Sequence, residues 1–218
     1  MLKAELKQLK YHFPQLYFWY IKWIKKTKIK ELTVVPWMND KAIDWLKKNL
    51  KRDMKIFEYG CGGSTLFMSA LTEKVISVEH DPVYYITLKD EIKKGGIKNC
   101  KLFFSPPNNG APKNTIYAST DEKYKNMNFE KYIETINKYP DNYFDLVFID
   151  GRARNGCIVN ALPKIKNSGY LLLDNSDRLE YEIGKEKLKK YPRQIFADQT
   201  SRLENQHETT IWQINKNI

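Results

Sequence analysis

A glycine-rich turn between two short apolar segments constrains the fold of this chain more than any other feature. Residues 55–59 and 75–78 have the length and the apolar character of buried strands. The chain turns sharply between them, and a helix is predicted to begin near Ser64. The order strand, glycine turn, helix, strand predicts a parallel α/β sheet.

The turn is suited to bind a ligand through its backbone. Gly60, Gly62 and Gly63 place no side chain between the main-chain N–H groups and a ligand. The N-terminus of the following helix adds a partial positive charge. Glu79 ends the second strand about 20 residues after the glycines, a spacing that predicts a carboxylate facing the hydroxyls of a ribose.

Two nucleotide-binding patterns compete for this turn. Dinucleotide folds carry G-x-G-x-x-G, but Thr65 stands at the third glycine position here. The chain instead has Glu58 two residues before Gly60, and the resulting E-x-G-x-G resembles motif I of class I S-adenosylmethionine (SAM)-dependent methyltransferases. An ordinary strand–turn–helix stays open as a third interpretation, because a glycine-rich loop alone is a weak signal.

The rest of the chain continues the alternation of strands and helices. Asn39 is predicted to cap a helix before the first strand, and the polar stretch 105–142 is predicted as a lid or substrate-contacting loop with a helix near 129–138. We therefore predict an α/β, Rossmann-like sheet, mostly parallel, with a C-terminal antiparallel hairpin and helices on both faces. Further strands are predicted at 100–104, 143–149, 170–174, 194–197 and 209–214, further helices at 83–93, 157–165 and 178–191, and a turn at 167–169.

That arrangement is similar to the fold of class I methyltransferases, and the resemblance covers residues 35–218. More narrowly, FDLVFIDGRAR at 144–154 and LLDNSDR at 172–178 resemble a bacterial methyltransferase family of unsettled substrate. We expect two parts, a basic aromatic helical extension at 1–34 and a SAM-dependent methyltransferase domain at 35–218.

The extension combines a dense aromatic run at 16–24 with a lysine-rich exit. It is too short and too charged to span a bilayer, but a basic helix of this kind packs on the protein, on a partner chain or on a membrane surface. Three dispersed cysteines and the lack of a visible signal peptide indicate a reducing compartment. We expect a cytoplasmic protein, with residues 1–30 peripheral to the inner face of the membrane as the alternative.

Charge bears on the choice of acceptor. The net charge is +11, and residues 1–56 hold 14 basic against 5 acidic residues, so the predicted catalytic part is nearly neutral. Base N-methyltransferases usually carry N/D-P-P-Y/F after the fourth strand, where this chain has Asp150-Gly-Arg. Both observations favour a small-molecule acceptor over nucleic acid.

The resemblance implies SAM as the cofactor. Glu79 would bind the ribose, while Glu58 would orient the turn or reach the amino group of SAM through water. The hydroxyls of Ser64 and Thr65 would face the SAM carboxylate, and His80 would either border the adenine site or be a solvated loop residue. An apolar slot for adenine is expected from Phe103, Phe104 or Ser105. The expected cofactor-binding residues are Glu58, Gly60, Cys61, Gly62, Ser64, Thr65, Glu79 and His80.

The acceptor is expected at the carboxyl ends of the fourth and fifth strands, where open α/β sheets bind ligands. Asp150 is the candidate for a base or for a group that orients the nucleophile. Arg152 and Arg154 either clamp an anionic group of the acceptor or pair with Asp174 and Asp177. The expected catalytic residues are Asp150, Arg152, Asp174 and Asn175, with Arg178 nearby.

A divalent metal is an open question. Asp150, Asp174 and Asn175 match the metal ligands of the catechol and caffeoyl-CoA O-methyltransferases, and oxygen ligands of this kind suit Mg²⁺. Arg152, however, follows Asp150 closely and would compete electrostatically with a cation. We therefore expect a site without a metal rather than one that binds a divalent cation.

The sequence thus predicts a SAM-dependent methyltransferase that acts on oxygen of a small-molecule or glycan-related acceptor. Two alternatives remain open. The first is an RNA or DNA methyltransferase that uses its basic extension as an electrostatic footprint. The second is a non-catalytic SAM-binding protein held at a membrane or in a complex.

Overall fold

The structure, a computed structural model, describes residues 34–197 and 208–217. The expected extension at 1–34 lies outside the described residues except for Val34, so its helical character stays a prediction. None of the helices described between Val34 and Asn217 has the length and apolar character needed to cross a membrane.

One seven-stranded sheet forms the centre of the described chain. Its strands are β1 (Lys55–Tyr59), β2 (Lys74–Glu79), β3 (Cys100–Phe104), β6 (Phe144–Ile149), β7 (Ile165–Asp174), β8 (Arg193–Phe196) and β9 (Thr209–Ile214), while β4 (Asn108–Asn109) and β5 (Met127–Asn128) form a separate small hairpin. The order across the sheet is β3-β2-β1-β6-β7-β9-β8. The first five of these strands run parallel, and β9 is antiparallel to both β7 and β8. The predicted sheet with its C-terminal hairpin is confirmed.

Helices cover both faces of this sheet. They are α1 (Asp40–Asn49), α2 (Gly63–Leu71), α3 (Pro82–Lys94), α4 (Glu130–Ile133), α5 (Arg154–Ala161) and α6 (Glu182–Glu186). Successive side chains of a strand point to opposite faces, so Ile56 of β1 packs with Ile43 and Leu46 of α1, and Phe57 packs with Tyr132 and Ile133 of α4. Each face therefore has its own apolar core.

Helix α1 begins where the sequence predicts. The Asn39 side chain accepts a hydrogen bond of 3.0 Å from the Lys41 N–H, as expected of an N-cap. Ala42, Ile43 and Leu46 of this helix are buried. The segment just before the cap places Trp37 on the surface, where 65% of its area stays exposed.

Three predicted elements differ from the structure. Strand β7 begins at Ile165, so the predicted turn at 167–169 lies inside the strand as an irregularity, with a register shift against β6 and a left-handed φ of 64° at Ser168. The helix predicted to end near 191 is shorter, since α6 ends at Glu186. The helix predicted near 129–138 is α4 followed by a 3₁₀ helix (Glu134–Lys138). Turn-forming residues inside β7 and mixed helical periodicity in the other two segments explain these differences.

Candidate active site

The glycine turn after β1 is fixed by close backbone packing against the end of β6. Gly60 has a φ of +89°, and a Cβ built on it would lie 2.9 Å from both N and Cα of Gly151. Its N–H donates to the Val78 carbonyl of β2 at 2.9 Å. Only glycine fits this position without strain. At Gly62, by contrast, a built Cβ meets no atom of the described chain within 4 Å.

Glu58 stabilises the turn through hydrogen bonds to its carboxylate. Its carboxylate is buried and accepts hydrogen bonds from the hydroxyls of Ser64 and Thr65, the second at 2.5 Å. The Gly62 N–H in turn donates to Thr65 Oγ1 at 3.1 Å. Two roles were expected for Glu58, and its contacts match the one in which it orients the turn. The expectation that Ser64 and Thr65 direct their hydroxyl hydrogens to a ligand is wrong for this arrangement, because each donates to Glu58.

Glu79 points at the turn from the end of β2. Its Oε2 accepts from the Cys61 N–H at 2.8 Å, and its Oε1 accepts from the N–H groups of His80 at 2.8 Å and Asp81 at 2.6 Å. A carboxylate has about four acceptor positions, and these three N–H groups use three of them. Burial favours a higher pKa for Glu79, but the charge of His80 and these hydrogen bonds lower its pKa. Cys61 contributes its backbone here, and burial raises the pKa of its thiol well above the usual value.

His80 is packed among aromatic rings. Only 8% of it is exposed, so the interpretation as a solvated loop residue is wrong. Its Nε2 lies 2.9 Å from Tyr124 Oη, and the rings of Phe129 and Tyr132 pack against it. Its Nδ1 lies 2.8 Å from Glu79 Oε1, although without the alignment of a hydrogen bond.

The adenine slot stays a prediction. The Phe104 ring packs on Tyr85 with centroids 5.0 Å apart, and the Phe103 ring lies under the Lys138 ammonium at 4.4 Å. Phe104 stands opposite Glu79 in the pairing of β2 with β3, and the Ser105 N–H donates to the Glu79 carbonyl at 2.8 Å.

A pocket of about 460 Å³ lies at the carboxyl ends of β6 and β7, where the acceptor was expected. It contains every expected catalytic residue, together with residues that the sequence did not indicate. Its lining includes Asp150, Arg152, Arg154, Asp174, Asn175 and Arg178, and also Trp37, Ser119, Thr120, Asp121, Glu180 and Tyr181.

Arg154 ties the ends of β6 and β7 together. Its guanidinium is buried and donates to the carbonyls of Gly151 at 3.0 Å and Asp174, and to Asp150 Oδ1 at 2.9 Å. The face of this group also lies 5.2 Å from the centre of the Tyr181 ring. All three nitrogens of the guanidinium donate in these contacts, so Arg154 is a structural cation that lines the pocket.

Arg152 reaches the pocket with a different partner. Its Nη2 lies 3.1 Å from Asp121 Oδ2, and its guanidinium lies 5.8 Å from the centre of the Tyr124 ring. The predicted pairing of Arg152 and Arg154 with the carboxylates of Asp174 and Asp177 is therefore wrong. The true partners are Asp121 and Asp150, and Asp174 offers its carbonyl.

Two of the pocket carboxylates, Asp150 and Asp174, are held in unlike settings. Asp174 is buried and accepts from the Thr209 hydroxyl of β9 at 2.6 Å, and its burial together with the charge of Asp150 raises its pKa to about 7. Burial also raises the pKa of Asp150, against the opposing charges of Arg154 and Arg152. The Asp150 side chain stays 35% exposed, so it is open to a bound molecule.

The residues present do not fit a divalent metal between these strands. Arg154 donates to both Asp150 and the end of β7, so a cation of the chain itself holds that position. The positive charge of the Arg154 guanidinium would repel a divalent cation placed beside it.

Two buried acids make the stability of the fold depend on pH. The pKa of Glu58 is raised from 4.5 to about 7, chiefly by burial, and that of Asp174 rises to a similar value. The folded protein keeps protons that the unfolded chain loses, so their stabilising effect is full below the unfolded pKa and is lost as the pH rises through about 7. We expect the free energy of unfolding to fall from about pH 5 to about pH 8, with up to about 3 kcal/mol from Glu58.

Chemical denaturation at several pH values measures this change. Glu58→Gln mimics the protonated acid and should give a shallower decline than the wild-type protein, while Glu73→Gln, in an exposed turn before β2, should leave it unaltered. Equal slopes for the wild-type protein and Glu58→Gln would contradict the assigned burial.

Comparisons with known proteins agree with this architecture. No family model matches the sequence, and no curated protein matches it. Solved structures do match: an rRNA methylase from Streptococcus thermophilus has a TM-score of 0.55 at 14% identity and covers 79% of this chain and 93% of its own. A proposed methyltransferase from Streptococcus mutans in complex with S-adenosylhomocysteine (SAH) has a TM-score of 0.52 at 16% identity and covers 78% and 94%.

A third match is a precorrin-6y C5,15-methyltransferase from Geobacter metallireducens, with a TM-score of 0.51 at 18% identity and coverage of 79% and 86%. At these identities the likeness establishes the fold, which is that of class I methyltransferases. The predicted fold is thereby confirmed.

Proposed function

We propose that this chain is a SAM-dependent methyltransferase. The observation that carries the proposal is the contact between Gly60 and Gly151. Gly60 belongs to the glycine turn and Gly151 lines the acceptor pocket, so the contact places the turn beside the pocket. Methyl transfer is an in-line displacement that needs donor and acceptor within about 3 Å of each other. The adjacency of the glycine turn and the pocket at Gly151 supports this proposal.

The turn offers SAM the groups that it needs. The N-terminus of α2 suits its carboxylate, and the Glu79 carboxylate at the end of β2 suits a ribose hydroxyl. Bound SAM supplies an electrophilic methyl group. The chain's own part is to fix the turn through Glu58 and to hold the acceptor in place.

We propose oxygen of a small-molecule or glycan-related compound as the acceptor. A pocket of about 460 Å³ has the size of a small-molecule site, and its lining of carboxylates, amide and guanidinium groups suits a polar compound. Asp150 is the candidate base, since a raised pKa brings a carboxylate closer to the pH at which it accepts a hydroxyl proton efficiently. Trp37 gives the pocket one flat apolar wall.

Nucleic acid is the second candidate acceptor. The net charge of +11 and the likeness to an rRNA methylase favour it. A gel-retardation assay with RNA at rising salt separates the candidates, because contacts to phosphates weaken steeply as salt rises. Binding that is absent, or that does not respond to salt, would remove nucleic acid. If the protein binds SAH but consumes no SAM with any acceptor of a broad panel, the result would instead favour the non-catalytic SAM-binding protein.

Glu79 provides the test of the cofactor site. Calorimetric titration with SAH should show binding to the wild-type protein, and Glu79→Gln should weaken it by about 10- to 100-fold, as expected when a hydrogen bond to a charged acceptor is lost. Glu73→Gln, in the exposed turn just before the same strand, should bind SAH as the wild-type protein does.

Thermal unfolding of each variant establishes that it is folded before it is titrated. If the wild-type protein does not bind SAH, the proposed function is wrong. If it binds and Glu79→Gln binds equally well, the cofactor lies elsewhere.

A further inference from the structure

A chain of buried contacts connects the two sites on the side away from Gly60. It starts at the Glu79 carboxylate, which lies 2.8 Å from His80 Nδ1. The opposite ring nitrogen, Nε2, lies 2.9 Å from Tyr124 Oη. His80 and Tyr124 are 8% and 7% exposed, so water does not easily replace these contacts.

Tyr124 belongs to the crossover between β3 and β6 and ends a 3₁₀ helix (Glu122–Tyr124). Its N–H donates to the Asp121 carbonyl at 2.9 Å, and the Asp121 side chain caps the same helix by accepting from the Lys123 N–H at 2.9 Å. The position of Tyr124 therefore determines where Asp121 stands.

Asp121 lines the acceptor pocket and pairs there with Arg152. The Tyr124 ring also lies beneath the Arg152 guanidinium, at 5.8 Å. Arg152 consequently receives both its charged partner and its aromatic support from one short helical turn. That turn is attached to the cofactor side through His80.

We propose that Tyr124 is a positioning residue, through which occupancy of the cofactor site orders the acceptor-side turn 119–124. This inference rests on the proposed function. A ligand hydroxyl on Glu79 Oε2 restrains the carboxylate, and the carboxylate restrains His80. His80 then restrains Tyr124, and with it Asp121 and Arg152. The acceptor pocket is thus completed after the cofactor has bound.

Hydrogen–deuterium exchange with and without saturating SAH tests the proposal. In the wild-type protein, SAH should slow exchange of the amides of residues 119–124 by about fivefold or more, within the range of measured coupling between sites. Tyr124→Phe removes one hydroxyl and keeps the ring, so it should bind SAH with a similar dissociation constant and lose that slowing. Tyr117→Phe, in the same crossover, is the matched control and should keep it.

The outcomes separate the inference from the proposed function. If the wild-type protein binds SAH but exchange at 119–124 does not change, or if Tyr124→Phe keeps the full change, the link is wrong while the cofactor site stands. If the wild-type protein does not bind SAH, the proposed function is overturned, and this inference falls with it.

Discussion

Gly60→Ala should destabilise the protein by about 3 kcal/mol or more, because two separate penalties meet at this residue. A residue other than glycine is strained at a φ of +89°. The added methyl group would also lie 2.9 Å from the backbone N and Cα of Gly151, and neither atom can move without displacing the end of β6. Chemical denaturation measures the loss, and SAH binding should disappear with the native turn.

Gly62→Ala is the matched control for that change. Gly62 has an extended φ of 175°, and a methyl group on it meets open space among the described residues. We expect a stability change below about 1 kcal/mol, the size of a helix-capping effect. SAH binding should nevertheless weaken, since the methyl group projects where a ligand approaches the N–H groups of the turn. Equal destabilisation by the two substitutions would show that the contact between Gly60 and Gly151 does not hold the turn.

Arg154→Met should cost about 2 to 3 kcal/mol of stability, because a buried guanidinium is lost from several hydrogen bonds, although its partner Asp150 is partly exposed. The substitution keeps much of the apolar stem but leaves the Asp150 carboxylate and the carbonyls of Gly151 and Asp174 without their shared donor. Arg154→Lys should recover little, because one ammonium cannot reach three acceptors that are arranged around a planar fork.

Arg178→Met is the control for Arg154→Met, because Arg178 lines the same pocket but is exposed and donates to Tyr181 Oη at 3.3 Å. We expect its effect on stability to stay within about 0.5 kcal/mol. Thermal and chemical denaturation of the two variants would decide between the roles that the sequence leaves open. Similar stabilities would mean that Arg154 is available to an acceptor and is not the structural cation described here.

Local patterns made most of the fold predictable. The bounds predicted for β1 and β3 match the structure, and Asn39 caps α1 as expected. Each of these signals lies within a few residues along the chain. The sequence also indicated that Glu58 and Glu79 would lie beside the glycine turn, since they stand at fixed distances from the glycines, and the structure places their carboxylates there. The sequence could therefore indicate the turn and its carboxylates together.

Contacts between distant segments were not predictable in the same way. For Arg152 the sequence left open an anionic acceptor group or the acids Asp174 and Asp177, but its partner Asp121 lies in a crossover that has no periodic pattern. Trp37 lines the pocket from a segment before α1, and nothing in its surroundings distinguishes it from a core aromatic. Ser64 and Thr65 were assigned to a ligand because the sequence does not show that Glu58 turns its carboxylate toward them.

The backbone contact between Gly60 and Gly151 has a consequence for how this protein can evolve. A side chain gained at either residue collides with the main chain of the other, so neither loop can change alone at this point. A lineage that altered one of them would need to move β6 against β1 in the same step. The pocket lining can therefore vary at Trp37 and in the 119–121 segment, while the contact between Gly60 and Gly151 stays fixed.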